Sequence, residues 1–466
     1  MHHPYSRWVR KAVVVGAWIL LATLVSAETY VVDSLSGLQA KIESAEPGDT
    51  LVVKNGAYTA GAALTIIRRG VEGRPLTIMA ETVGGVEIQG SQGFALGSPA
   101  SHVVISGFVF THAAGKFVVG AGTRHIRITR NVFRMNGGGA YLSVLGHDVQ
   151  IDRNEFADKA TAGSMLAISG PTGQVAQRLW IHRNYFHDYA GSPGEAGEML
   201  RYGLSTQSLS LAMGVVEHNL FARCRGGNEL VSNRVSSVVY RYNTFQESPS
   251  ASLTLRHGND SLFYSNTVSG TEGLRVFGDR HQIYSNVFVG NYIGVAMGNG
   301  STEVAEGGPL NGHDRPDRCA VIFNTFLDNR THYQMSRRTP TALGAQQIVF
   351  ANNLLQGGGI AAKIEGPYKD AIWENNLHWQ VGAVGDFPLD AFTVAETRLA
   401  GIETANIQLS EGSVAFDAAA GVYPQAGVDR DGQPRIDPKD IGADEVSDAP
   451  RLSRVLTPLD VGPEAR

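Results

Sequence analysis

Ile126-Arg-Ile128 followed by Asn131-Val-Phe133, Val149-Gln-Ile151 followed by Asn154-Glu-Phe156, and Leu179-Trp-Ile181 followed by Asn184-Tyr-Phe186 decide the fold of this chain. Each copy is a short apolar-x-apolar strand, then Asn, one free position and an aromatic residue. The series continues at Asn219-Leu-Phe221, Asn243-Thr-Phe245, Asn266-Thr-Val268, Asn286-Val-Phe288, Asn324-Thr-Phe326, Asn353-Leu-Leu355 and Asn376-Leu-His378. The steps between successive asparagines are 23, 30, 35, 24, 23, 20, 38, 29 and 23 residues. They fit a basic coil in the low twenties with loops inserted into some coils, which is the mark of a solenoid. Strands alternate their side chains in and out, so Phe133, Phe156, Phe186 and their equivalents stack inside the coil while each Asn sits at a turn. There an Asn tolerates the left-handed conformation and bonds backbone of its own and the next coil. A leucine-rich repeat has a similar period, but its L-x-x-L-x-L pattern and helical half are missing. The reading is an all-β, single-stranded, right-handed parallel β-helix.

Both ends of such a solenoid need covering, because an open end exposes strand edges and apolar core. Ser36-Gly-Leu-Gln39 has capping-box spacing ahead of Ala40–Ala45, so a short N-terminal capping helix is expected over the first coil. Beyond about Val384 the coil signal fades into Ala-rich and Asp/Pro-rich sequence, read as a final coil and a tail. Asp429 and Asp431 before Gly432 suggest a calcium loop, but no downstream Glu completes one, and a surface turn is the plainer reading. The organisation expected is a signal peptide over 1–27, a β-helix over 28–445 and a C-terminal tail over 446–466.

The signal peptide rests on Arg7, Arg10 and Lys11, an apolar run from Ala12 to Val25, and small residues at Ser26 and Ala27. A secreted or periplasmic protein is expected, and no later stretch reaches membrane-spanning length. The two cysteines, Cys224 and Cys319, are read as buried free thiols, with one disulfide as the alternative that an oxidising compartment allows. A formal net charge of −5 argues against nucleic acid as a partner. An acidic polysaccharide is still accommodated if arginines gather in one cleft, since the local field governs binding there.

Chemistry-bearing residues are densest from Glu195 to His281, a stretch holding Glu195, Glu198, Arg201, Arg225, Glu229, Arg234, Arg256, His257, Arg275, Arg280 and His281. Cys224-Arg-Gly-Gly-Asn-Glu-Leu-Val-Ser-Asn-Arg234 resembles the C-x-G-E-x-E-I-I-S-N-K segment of polysaccharide lyase family 6, which contains alginate lyases and chondroitinase B. Glu195-Ala-Gly-Glu-Met-Leu-Arg-Tyr-Gly203 resembles that family's N-G-G-E-T-I-R-x-G. Leu253-Thr-Leu-Arg-His-Gly258 and Gly273-Leu-Arg-Val-Phe-Gly278 resemble its L-R-H-G and G-I-R-V-x-G blocks. All four stand in the family's order.

The resemblance implies a lyase that breaks a uronic-acid polymer, alginate ahead of glycosaminoglycans, by β-elimination. It places the base that takes the C5 proton at Arg234 and the assisting acid at Arg256. His257, Arg275 and Arg201 are the accompanying substrate-binding candidates, with a satisfied structural histidine as the equal alternative for His257. It also places calcium on the Asn of one block and the two Glu of another, here Glu195, Gly227 and Glu229. The chain departs at these points: the family's lysine is Arg234, its Asn is Glu195 and its first Glu is Gly227. The metal site therefore reads as Glu195 and Glu229 with calcium, or as a site that holds none. Carboxylates made to pair nearby arginines are the competing reading of both residues. Arginine, with a pKa above 12, is a poor base, so either the site holds Arg234 partly deprotonated or another group such as His257 takes the proton. A cation is needed because proton removal α to a carboxylate builds negative charge there, and one unit charge at ~4 Å supplies ~4 kcal/mol at an effective dielectric of ~20. A β-helical glycosidase would need carboxylates ~5 to 9.5 Å apart, and no clustered Asp pair offers them. A non-catalytic β-helix that binds acidic glycans is the alternative from another class.

Overall fold

A computed structural model describes residues 27–191, 197–225, 229–335, 343–365, 369–388 and 390–466. The signal-peptide segment before Ala27 lies outside the described residues. Each full coil contributes three strands. The first row of strands is a parallel sheet of 14, from Thr29–Val32 to Ile372–Glu374. The second and third rows merge into one 25-stranded sheet, because Thr244–Leu255 and Thr267–Val276 run through the corner between them unbroken. The chain is a right-handed parallel β-helix. No helix among the described residues is long and apolar enough to cross a membrane.

The asparagines of the repeat form one ladder between the first and second rows. Asn154 Nδ2 donates to Asn184 Oδ1 at 3.0 Å and to the carbonyls of Ile128 and Asp152 at 2.8 and 3.0 Å. The same side-chain link repeats without a gap from Asn131 to Asn376. The left-handed turn residue is not the Asn but the one before it, for example Arg153 (φ 53°), Tyr242 (φ 57°) and Ser285 (φ 55°). The asparagine is therefore needed for its carboxamide and not for its backbone tolerance, which corrects half of the sequence argument. Inside the coil Phe133, Phe156, Phe186, Phe221 and Phe245 stack with ring centroids 4.7, 4.7, 4.6 and 4.8 Å apart.

The capping helix runs Leu35–Ser44, and its N-cap is Ser34, which accepts from Gly37 N–H at 3.2 Å. The expected cap at Ser36 is thus two residues late; Ser34 wins because it is the extended residue whose hydroxyl reaches an orphan N–H of the first turn. Leu38 and Ile42 enter the core from its inner face. Parallel pairing ends at Phe392–Val394. The chain then folds back along the coils, setting Ala426 against Tyr242, Tyr264 and Tyr284, and Leu456 and Val461 against Leu220. Asp429 and Asp431 are buried under this return and are not in a surface turn as expected. Asp429 Oδ1 accepts the N–H groups of Asp431 and Gln433 at 2.9 and 2.7 Å and so closes the Asp-Gly turn from within. Cys224 and Cys319 are buried free thiols.

Candidate active site

Period-two alternation turns one set of side chains of the third row outward. In register from coil to coil these are Ala167, Arg201, Ser232, Thr254, Arg275 and Ala296, spaced by about 4.8 Å per strand. Their neighbours Leu200, Val231, Leu253, Leu274 and Val295 point into the core. Asn233 pairs with Leu255, so Arg234 and Arg256, the residues that follow, stand on adjacent coils. The Arg256 N–H donates to the Asn233 carbonyl, and the Arg234 N–H to that of Tyr202, both at 2.8 Å.

These residues border a cleft of about 620 Å³ lined by Glu198, Glu229, Arg234, Arg256, Glu272 and Arg275 among others. A hollow of about 650 Å³ beside the C-terminal tail, at Arg183 and His218, is slightly larger, but none of its lining residues belongs to the four blocks that resemble the lyase family. The cleft's arginines are set by two carboxylates that are register partners, Glu198 and Glu229. Arg234 Nη2 donates to Glu198 Oε1 at 2.6 Å and its Nε to Ser232 Oγ at 3.2 Å, while Ser164 donates to the other Glu198 oxygen at 3.0 Å. Glu229 Oε1 accepts from Thr254 Oγ1 at 2.6 Å, Arg275 Nη2 at 3.2 Å and Arg256 Nη1 at 3.4 Å. Burial, then the charges of Arg256 and Arg201, lower the Arg234 pKa from its ordinary value, against the pull of Glu198 and Glu229. Among the described residues the Nε–H groups of Arg201 and Arg275 are buried without a hydrogen-bond partner.

His257 departs from a place in the cleft. It is buried, its Nδ1 lies 2.9 Å from the Gly312 carbonyl and its ring stacks on His313, so it fastens the 298–317 insertion to the coil. Burial, with Arg256 and Arg234 adding to it, lowers its pKa to about 4, so the ring is neutral at neutral pH. His257 lies beyond the end of the strand Thr244–Leu255, and its ring is turned to the insertion while Arg256 lines the cleft. His281 is wholly buried between the Phe277 carbonyl and the Ser261 N–H.

The metal assignment divides. Glu195, like Gly227, lies outside the described residues. Glu229 has its Oε1 engaged by two arginines and a threonine, and its register partner Glu198 is held by Arg234 and Ser164. Calcium takes six to eight oxygens, and the described residues do not assemble such a shell here. Among them the acidic group whose ligand atoms gather within 4.8 Å is Asp429, Asp431 and Asp444, on the C-terminal return and not in the cleft.

Sequence reasoning gave no role to Glu198, Ser164, Thr254 or Glu272. A signal for Glu198 existed, since it follows Glu195 by three residues in the block that names the site. Ser164 carried none, because it reaches Glu198 from the coil below across 34 residues.

A family model for chondroitinase B matches residues 32–380. No curated protein matches the chain. Among solved structures, a family 6 alginate lyase in complex with a trisaccharide is 18% identical, with 83% of this chain and 92% of that chain covered and a TM-score of 0.68. The family 6 alginate lyase AlyGC is 21% identical, with 91% of this chain and 59% of that chain covered and a TM-score of 0.69. The family 6 polysaccharide lyase Pedsa3628 from Pseudopedobacter saltans is 16% identical over 94% of this chain and 99% of that one, with a TM-score of 0.61. At these identities the structural likeness is one of fold.

Proposed function

This chain belongs to the chondroitinase B family, and from that premise we propose that it is a secreted or periplasmic polysaccharide lyase that cleaves alginate by β-elimination. The observation that carries the reading is the pairing of Arg234 and Arg256 on adjacent coils of one cleft, with Arg275 beside them. In the elimination Arg234 takes the C5 proton, the C5–H electrons form the C4–C5 double bond, and the C4–O bond breaks. Arg256 gives a proton to the departing glycosidic oxygen. Arg275, held on Glu229, keeps its proton and supplies the positive charge that the developing enolate of the uronate carboxylate requires. Glu198 and Glu229 act as positioning residues, because bonds to a carboxylate fix the plane of a guanidinium. The products carry an unsaturated uronate at the new non-reducing end, and absorbance in its ultraviolet band, followed over time, tests the reading. Alginate is expected to give the faster rise, with chondroitin and dermatan as the comparison that the family's name calls for. A flat trace with all three leaves the chain as a binder of acidic glycans.

With the cationic role filled by arginines, turnover is expected to survive chelation. Full loss with EDTA, restored by calcium, would show that Glu195 and its neighbours build a metal site after all.

The pH profile discriminates between bases. If Arg234 is the base, only its deprotonated fraction reacts. Then log kcat/KM is expected to rise with pH from about 6 to about 9.5 as that fraction grows, since kcat/KM reports the free enzyme's groups. If neutral His257 were the base, its pKa of about 4 would leave the profile flat over that range.

A further inference from the structure

The cleft does not end at its catalytic arginines. Three successive coils each pass from the cleft to a second groove between one residue and its neighbour: Ser250 to Pro249, Glu272 to Thr271, and Ile293 to Tyr292. This second groove, about 390 Å³, continues over the next coils to Arg330 and Gly358–Gly359. Its floor is stripped of side chains by Gly270 and Gly290, equivalent on adjacent coils and left-handed with φ of 61° and 60°, and by Gly358 with φ of 70°. At Gly290 even a Cβ would meet nothing within 4 Å, so the space above it is open.

Tyr292 and Arg330 stand over this floor. Tyr292 is 45% exposed, an unusual position for a large aromatic residue on a coil whose other rings stack inside. The Arg330 guanidinium lies 4.6 Å from the centre of its ring. The backbone places the two on adjacent coils, through Arg330 N–H to the Asn291 carbonyl at 2.9 Å and Thr331 N–H to that of Tyr292 at 3.2 Å. The carboxylate closest in sequence, Asp328, is turned to the Gly358 N–H at 3.1 Å, and among the described residues no carboxylate forms an ion pair with Arg330. This sets Arg330 apart from Arg134, Arg178, Arg223 and Arg280, each of which an aspartate or glutamate holds. An exposed ring offers a flat apolar face to a pyranose, and a stacked, unpaired guanidinium is a ready partner for a carboxylate.

We propose that Tyr292 and Arg330 form a distal uronate subsite, which holds a sugar of the polymer beyond the residues being cut and so gives the enzyme a preference for long chains. The proposal rests on the lyase reading above for its substrate, but its binding test does not need turnover. Single Tyr292→Ala and Arg330→Ala variants are expected to raise KM for long-chain alginate about fivefold each with kcat within about twofold, as the loss of one stacked or one charged contact allows. The ratio of kcat/KM on polymer to kcat/KM on the shortest cleaved oligomer is expected to fall by the same factor, with an unchanged melting temperature because both side chains are exposed. An unaltered polymer KM in the double variant overturns the subsite, and so does an equal rise in KM for polymer and shortest oligomer. If the wild-type chain cleaves no uronan, the lyase reading fails. The subsite is then judged by retardation in alginate-containing gels: retention of the wild type but not of the double variant supports it, and equal retention, or none for either, overturns it.

Discussion

Arg256→Ala is expected to lower the rate of alginate cleavage by roughly 10²–10³-fold or more, the size of effect that follows loss of one donor aimed at developing charge. The melting temperature should hardly move. The Arg256 side chain is about a third exposed, and its contact with Glu229 is the longest of the three that oxygen accepts. With Arg256 gone, Thr254 and Arg275 still satisfy Glu229, so no buried charge is orphaned. Arg234→Ala differs instructively. It leaves the buried Glu198 with Ser164 alone, so it should abolish turnover and also cost stability, since breaking one side of a buried ion pair exposes the desolvation of the other. Arg234→Lys keeps a cation against Glu198, restores the family's base and should retain or raise activity. Rates from ultraviolet absorbance, paired with thermal melts of the same preparations, check all three. Unchanged lyase rates in both alanine variants would mean that the reaction is carried out elsewhere on the solenoid.

Asn243→Ala is expected to be the most damaging small substitution in the body of the protein, lowering stability by about 3–5 kcal/mol. Its Nδ2 donates to the Val216 and Arg241 carbonyls and to Asn266 Oδ1, and its Oδ1 accepts both the backbone N–H and the Nδ2 of Asn219. Alanine removes all five bonds at once at a position with no access to water, and the orphaned groups lie on both neighbouring coils. Serine, also too short to bridge the coils, should do little better. A denaturant melt of the purified variant measures the loss. A shift of less than about 1 kcal/mol would mean that each rung of the ladder is independent and replaceable.

The asparagine spacing predicted the coil, and the ladder from Asn131 to Asn376 is that spacing made physical. The left-handed residues before each asparagine carried no comparable sign, because Arg, His, Tyr and Ser all occupy the strained position. The step of 22 residues from Arg234 to Arg256 sufficed to put them side by side, since no loop is inserted between those two strand ends. Between substrate contact and structural histidine, the sequence could not choose for His257, because the Gly312 carbonyl it meets arrives from an insertion 55 residues further on.

The sequence by itself determined the architecture and the face on which chemistry must sit, because a solenoid repeats the same local instructions in every coil: alternate burial, an inward aromatic residue, a carboxamide at the turn. Only the tertiary structure decided which carboxylate holds which arginine. Glu198 meets Arg234 across 36 residues and Glu229 meets Arg275 across 46, distances made unequal by loops whose lengths obey no repeat. Stacking brings such residues within a few ångströms through coil number rather than chain separation. The pairing of charges, and with it the absence of a calcium shell among the described residues around Glu229, therefore became visible only once the coils were wound.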